Sequence, residues 1–112
     1  FVLAAGLAPE VRANAAGNLA FALANLGRFR EARPIYEEAI AETRAASGPE
    51  SNAVADILSP YASVLWYLDE RERALGVYEE SLRIRRRTLG PEHPNYAMTL
   101  VNYADSLVTM AQ

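Results

Sequence analysis

The chain has 112 residues, of which 51% are hydrophobic and 22% charged, and its formal net charge at neutral pH is −3. This length suits one domain with a modest core, and the composition argues against both a disordered tail and a membrane protein. The negative net charge gives no electrostatic support for nucleic-acid binding, while the lack of cysteine excludes disulfides and leads us to expect a cytoplasmic protein.

Amphipathic helices are predicted along nearly the whole chain, because apolar residues recur at spacings of three and four. In the first stretch, Ala13, Ala16, Ala20 and Leu23 step by 3, 4 and 3 residues. Similar stripes predict five helices, over residues 9–26, 29–46, 52–68, 71–88 and 94–110. Residues 1–6 are expected to be the tail of a preceding helix, in which case the chain is a fragment of a longer protein.

The sequence has a 42-residue repeat. Ala20, Ala62 and Ala104 coincide at this step, and so do Tyr36 and Tyr78. One helix pair cannot bury its own apolar face, so we expect the pairs to stack into a solenoid. We interpret the chain as a single array with units at about 9–47 and 51–89 and a partial unit at 93–112.

Three segments keep the same order of small and large side chains, namely NLAFALANLGRFREARPIYEEAI at 18–40, YASVLWYLDERERALGVYEESL at 61–82 and LGPEHPNYAMTLVNYADSL at 89–107. The chain therefore resembles tetratricopeptide repeats, of the 42-residue kind found in kinesin light chains and in bacterial scaffold proteins. The resemblance implies an all-α fold, a right-handed superhelical solenoid of antiparallel helix pairs. It also implies that the first helices of the units line a concave groove that binds extended peptides or helices.

The groove-facing candidates follow from that resemblance, position by position. They are Asn14, Asn18, Phe21 and Asn25 in the first unit, Asp56, Ser63, Trp66 and Tyr67 in the second, and Met98, Asn102, Asp105 and Thr109 in the third. Amides can bond a peptide backbone and aromatic rings can act as buried anchors. Some family members hold a peptide carboxylate with basic side chains and Asn, but the candidates include no basic residue. Whether Trp66 faces the groove or the core stays open.

Three features of the sequence, one histidine, one proline and one basic run, could have either a functional or a structural role. His93 is the only histidine, and Ser51 occupies the same position one repeat earlier, so this position does not require an imidazole. We therefore interpret GPEHP as a turn that separates two repeat units. Pro60 falls in the middle of a predicted helix and should kink or break it. Two interpretations stay open, namely a kink that the helix stack tolerates and a change in the shape of the groove wall. The basic run RIRRR at 83–87 is interpreted as a solvated outer helix face, with Glu79 four residues before Arg83.

These observations predict a protein-interaction module that binds a peptide or protein segment, with no catalytic residue, metal site or cofactor. An alternative is a structural or regulatory segment that packs against another domain of a longer chain, such as a kinase or a nucleotide-driven regulator. The unpaired last helix should also leave an apolar face that dimerises or binds a missing helix. Nucleic acid and membrane are not expected as partners.

Overall fold

The structure, a computed structural model, describes residues 8–112 and contains five helices in that range. They are α1 (Pro9–Asn25), α2 (Phe29–Ser47), α3 (Asn52–Tyr67), α4 (Arg71–Leu89) and α5 (Pro94–Ala111). The predicted helices begin at the same residues, and each predicted end lies one residue away from the observed end. The tail expected at residues 1–6 lies outside the described residues.

The helices form the predicted all-α, right-handed solenoid of antiparallel pairs. Helix α1 packs on α2 and α3 packs on α4, while α2 and α3, and then α4 and α5, join one pair to the next. The first helices α1 and α3 also contact each other, so they share one side of the stack. Because α5 is the last helix of the described chain, it has a partner on one side only.

Small residues allow the paired helices to approach closely. Ala20 and Ala62 on the first helices and Ala32 and Ala74 on the second helices are all fully buried. Larger side chains at these four positions would overpack the contacts. Ala104 has the same place in the repeat but is exposed, because no helix follows α5 in the described chain to cover that face.

Two equivalent turns close the helix pairs. Gly27 has a φ of 78° and Asp69 a φ of 66°, and Asp69 is the one non-glycine residue with positive φ in the described chain. In each turn the next N–H group bonds a carbonyl five residues earlier, Arg28 to Leu23 and Glu70 to Leu65, both at 2.9 Å. This pattern is the left-handed helix cap, which glycine adopts most easily and a short polar residue tolerates.

His93 has a structural role at the start of α5. Its Nδ1 accepts a hydrogen bond of 3.1 Å from the N–H of Asn95, and Pro94 occupies the first helical position. At the equivalent place before α3, Ser51 Oγ accepts from the N–H of Val54 at 3.4 Å. Both side chains cap a helix, as the interpretation of GPEHP as a turn predicts.

Helix α3 continues through Pro60 from Asn52 to Tyr67, so the proline does not break the predicted helix. A proline inside a helix removes one backbone hydrogen bond and crowds the preceding turn. Here α3 is held between α2 and α4 by buried Val54, Leu58 and Leu65, and that packing outweighs the local penalty.

The interpretation of RIRRR as a solvated outer helix face is wrong at one position. Arg83, Arg86 and Arg87 are exposed, but only 6% of Arg85 is exposed. A helix turns by about 100° per residue, so the basic side chains of this run cannot all share one face. The expected pairing of Arg83 with Glu79 is absent too, since Arg83 contacts Glu50 and Glu80 instead.

Candidate functional site

The first helices carry a row of overlapping clefts along one side of the solenoid, which we call the groove. Each of the twelve residues predicted from the sequence lines at least one of these clefts. They are Asn14, Asn18, Phe21 and Asn25 on α1, Asp56, Ser63, Trp66 and Tyr67 on α3, and Met98, Asn102, Asp105 and Thr109 on α5. The structure thus brings all twelve onto one continuous surface.

The middle of the groove is an open cleft of about 410 Å³ that reaches from α1 across α3 to α5. Phe21, Pro60 and Met98 contribute one apolar group from each helix. Phe21 is 54% exposed and Met98 63% exposed, although both are large apolar side chains. Exposed apolar groups that line a concave surface are typical of sites that bury a ligand side chain.

The end of the groove near α5 combines aromatic and acidic groups. Trp66, Tyr67, Asn102 and Asp105 line a cleft of about 250 Å³. Trp66 is half-buried and also packs against the core, so it faces both core and groove. The guanidinium of Arg71 lies 4.8 Å from the centre of the Trp66 ring, which is a cation–π contact.

Tyr67 is held in place from outside its own helix. Its ring stacks on Phe29 of α2, with 4.7 Å between the ring centres and 11° between the planes. Nevertheless, 65% of Tyr67 is exposed. A fixed, exposed ring loses little conformational entropy when a ligand packs against it, which favours binding.

The groove contains one cation that the sequence analysis missed. Arg85 of α4 reaches under α3, and its guanidinium lies 3.0 Å from the carboxylate of Asp56. It also donates to the backbone carbonyl of Ala55 at 3.5 Å. The negative charge of Asp56 is therefore balanced by the positive charge of Arg85. By contrast, none of the ion pairs between residues 8 and 112 involves Asp105.

Two tyrosines of the second helices lie beneath the groove at equivalent places in the repeat. Tyr78 Oη and Ser63 Oγ are 2.9 Å apart, so these hydroxyls form a hydrogen bond. Tyr36 Oη has no hydrogen-bond partner among the described residues, although only 1% of Tyr36 is exposed. Burial raises the pKa of Tyr36 to about 12, and burial also raises the pKa of Tyr78.

A family model described as Tetratricopeptide repeat matches residues 11–86 and 53–112. The chain belongs to the tetratricopeptide repeat family. This result confirms the family that the 42-residue repeat predicts. Tetratricopeptide repeats mediate protein–protein interaction, and this chain therefore has the architecture of a protein-interaction module.

A solved structure extends the comparison. The crystal structure of BtubC (BKLC) from P. vanneervenii matches 96% of this chain with a TM-score of 0.85 and 27% sequence identity. This chain spans 42% of the BtubC chain. The similarity supports the kinesin-light-chain-like repeat type. No protein with a curated description matches the chain.

Residues 8–112 contain no group of three or more His, Cys, Asp or Glu side chains that could hold a metal ion. Within the same range, each helix is too short or too polar to cross a bilayer.

Proposed function

We propose that this tetratricopeptide segment binds an extended peptide, or an extended segment of a partner protein, in the groove. The observation that carries the proposal is the exposure of three large apolar side chains on one concave surface. Phe21 is 54%, Met98 63% and Tyr67 65% exposed, and each belongs to one of the overlapping clefts. Exposed amides of Asn18 and Asn102 lie beside them and can bond a peptide backbone.

The charges of the groove favour a neutral or basic ligand. Asp105 lines the cleft near α5 together with Trp66 and Tyr67. A ligand Lys or Arg at that place would meet the carboxylate of Asp105 and the exposed ring of Tyr67, and both attract cations. Arg85 is already paired with Asp56, so it offers little attraction to a ligand carboxylate. The proposed role is binding without catalysis, and the cytoplasmic location stays a prediction.

The chain carries its own reporter for this test, because Trp66 is the single tryptophan and lines the groove. Short peptides selected from a library for binding to the segment would be titrated while Trp66 fluorescence is recorded. We expect saturable binding that Tyr67→Ala and Met98→Ala each weaken by about tenfold, as removal of an anchor side chain does.

The matched control is Arg86→Ala, because Arg86 is exposed on α4 and lines none of the groove clefts. Circular dichroism would verify that all variants are folded. Binding that survives both groove variants but is lost in Arg86→Ala would place the ligand on the outer face and contradict the proposal.

A second candidate function is self-association through α5, which the exposure of its unpaired face favours. Leu100, Val101, Leu107 and Val108 are 43%, 57%, 42% and 60% exposed. Sedimentation over a range of concentrations would test it, with Leu107→Glu as the variant that should dissociate a dimer. A wild-type chain that stays monomeric would contradict self-association and favour another element of a longer chain as the cover for this face.

A further inference from the structure

The groove contains two sites that are related by the 42-residue step but differ in their hydrogen bonding. The first consists of Phe21 on α1, Tyr36 on α2 and Pro60 on α3. The second consists of the equivalent residues of the next unit, Ser63 on α3, Tyr78 on α4 and Asn102 on α5. Every member of a set lies one repeat from its counterpart, so the second site serves as an internal reference for the first.

The second site satisfies its buried hydroxyl from within the protein. Tyr78 Oη and Ser63 Oγ are 2.9 Å apart, and Tyr78 is only 4% exposed. In the first site the counterpart of Ser63 is Phe21, which lines the same two clefts as Tyr36. A phenyl ring has no hydroxyl to offer, so the exchange of Ser for Phe removes the internal partner.

Tyr36 is left with a hydroxyl that no side chain around it satisfies. Only 1% of the residue is exposed, and Tyr36 Oη makes no hydrogen bond to any atom of residues 8–112. Pro60, the counterpart of Asn102, has no N–H group and no polar side chain. Buried hydroxyls nearly always have a partner, so an exception that lines a cleft of the groove needs an explanation.

The surroundings of Tyr36 define what such a ligand would present. The side chain of Tyr36 lines two adjoining clefts of the groove, and both clefts also contain Phe21 and Pro60. With a pKa of about 12 the hydroxyl stays protonated, so it can donate a hydrogen bond at neutral pH. Asp56 lines one of the two clefts and already holds Arg85, so an incoming anion would meet a carboxylate and no free cation.

We propose that Tyr36 Oη donates a hydrogen bond to a main-chain carbonyl of an extended peptide in the groove, and that a bulky apolar side chain next to that carbonyl packs on Phe21 and Pro60. The first site is thus a ligand-dependent subsite, whereas the equivalent tyrosine of the next unit is satisfied internally. This inference rests on the proposed function, because it requires a peptide in the groove.

The binding test compares Tyr36→Phe with Tyr61→Phe, each of which removes a single buried hydroxyl and keeps the ring. Tyr61 donates to Glu37 at 2.6 Å and lines none of the groove clefts. The probe is a library-selected peptide with both ends blocked, followed by Trp66 fluorescence. We expect Tyr36→Phe to weaken binding by about threefold to tenfold, the effect of one lost hydrogen bond, and Tyr61→Phe to leave binding unchanged.

Ester substitution in the peptide identifies the carbonyl that accepts the bond. An ester carbonyl is a weaker acceptor than an amide carbonyl, so each ester should weaken binding to the wild-type chain at the positions that accept hydrogen bonds. The ester whose effect vanishes in Tyr36→Phe marks the carbonyl that faces Tyr36. If blocked peptides fail to bind while the same peptides with a free carboxyl end bind, the ligand group is a carboxylate and the inference is overturned.

A measurement without ligand tests the unsatisfied hydroxyl itself. Tyr36→Phe removes a buried group without a partner, so we expect its melting temperature to equal or exceed that of the wild type. Tyr78→Phe breaks the bond to Ser63, so its melting temperature should fall. Phe21→Ser should melt higher than Phe21→Ala, since only the serine restores the partner that Ser63 provides in the next unit.

The possible failures can be told apart. If Tyr67→Ala and Met98→Ala lose the peptide but Tyr36→Phe binds as well as the wild type, the groove function stands and the subsite is refuted. A fall in melting temperature for Tyr36→Phe as large as that for Tyr78→Phe would also refute it, because the hydroxyl would then have a partner in the free protein. A library that yields no binder refutes the groove function and the subsite together.

Discussion

Tyr61 of the second repeat unit donates a hydrogen bond to Glu37 of the first, with 2.6 Å between Tyr61 Oη and Glu37 Oε2. Tyr103 and Glu79, their counterparts one repeat further along the chain, form the same bond, also at 2.6 Å. Both bonds join the first helix of one unit to the second helix of the unit before it. They are therefore contacts between units and help to set how successive helix pairs stack.

Removal of the first of these bonds should weaken the stack. We expect Tyr61→Phe to lower the free energy of unfolding by about 1 kcal/mol, which is typical for one intramolecular hydrogen bond. Tyr103→Phe should cost less, because Tyr103 lies on α5 and is more exposed than Tyr61. Urea unfolding followed by circular dichroism gives both values. A double-mutant cycle with Glu37→Ala should show coupling, and additive effects would mean that the bond contributes nothing.

The close contact at Ala62 should not tolerate a large side chain. Ala62 on α3 is fully buried, whereas its counterpart Ala104 is exposed on α5. Ala62→Phe should therefore lower the free energy of unfolding by about 1–3 kcal/mol through overpacking, while Ala104→Phe should change it little. Thermal unfolding of the two variants measures the difference. Equal melting temperatures would contradict the close approach of α3 to its partner.

The contributions of Asp56 and Arg85 to the free energy of unfolding should depend on each other. Arg85 is 6% exposed, so Asp56→Ala leaves a nearly buried cation without its carboxylate and should cost about 1–3 kcal/mol of stability. Replacement of both residues, Asp56→Ala with Arg85→Met, should recover most of that loss, because it also removes the nearly buried cation. Denaturant unfolding tests the recovery. A double variant less stable than Asp56→Ala would show that Arg85 stabilises α3 without help from Asp56.

The fold should lose stability in alkaline solution. Burial raises the pKa of Tyr36 to about 12, and burial with the bond to Glu37 raises the pKa of Tyr61 to about 12 as well. Unfolded tyrosine has a pKa of about 10, so the unfolded chain releases these protons first. The folded state binds more protons above that pH, so stability is fully present below pH 10 and is lost as the pH rises from about 10 to about 12.

Melting curves across this range, together with the ultraviolet absorbance of tyrosinate, would follow the alkaline loss. The double variant Tyr36→Phe with Tyr61→Phe removes both groups and should flatten the dependence of melting temperature on pH. If the melting temperature of the double variant fell with rising pH as steeply as that of the wild type, other residues would be responsible for the alkaline sensitivity.

The amino-acid sequence predicted the helices and their pairing well because both depend on local periodicity. The spacing of Ala13, Ala16, Ala20 and Leu23 defines a helix face without reference to anything else in the molecule. The 42-residue step then places equivalent faces side by side, and the resemblance to tetratricopeptide repeats indicated which of these faces lines the groove. That these residues bind a peptide remains a proposal.

The features that the sequence left open or missed concern side chains whose environment is set by a neighbouring helix. The continuity of α3 through Pro60 depends on packing against α2 and α4, and the helix propensities of single residues carry no information about such packing. The burial of Arg85 on α4 depends on the carboxylate of Asp56, which lies on a different helix. The unsatisfied hydroxyl of Tyr36 was not predicted, yet the comparison of Phe21 with Ser63 at the 42-residue step carried a signal for it.

The sequence by itself determined the all-α class, the helix boundaries and the repeat, because these follow from hydrophobic periodicity and from glycine and proline at the turns. Only the tertiary structure decided which polar groups are paired. The pairing of Tyr61 with Glu37, the neutralisation of Asp56 and the isolation of the Tyr36 hydroxyl depend on distances between helices. Hydrogen bonds and ion pairs are lost within an ångström or two, and periodicity cannot specify positions to that precision.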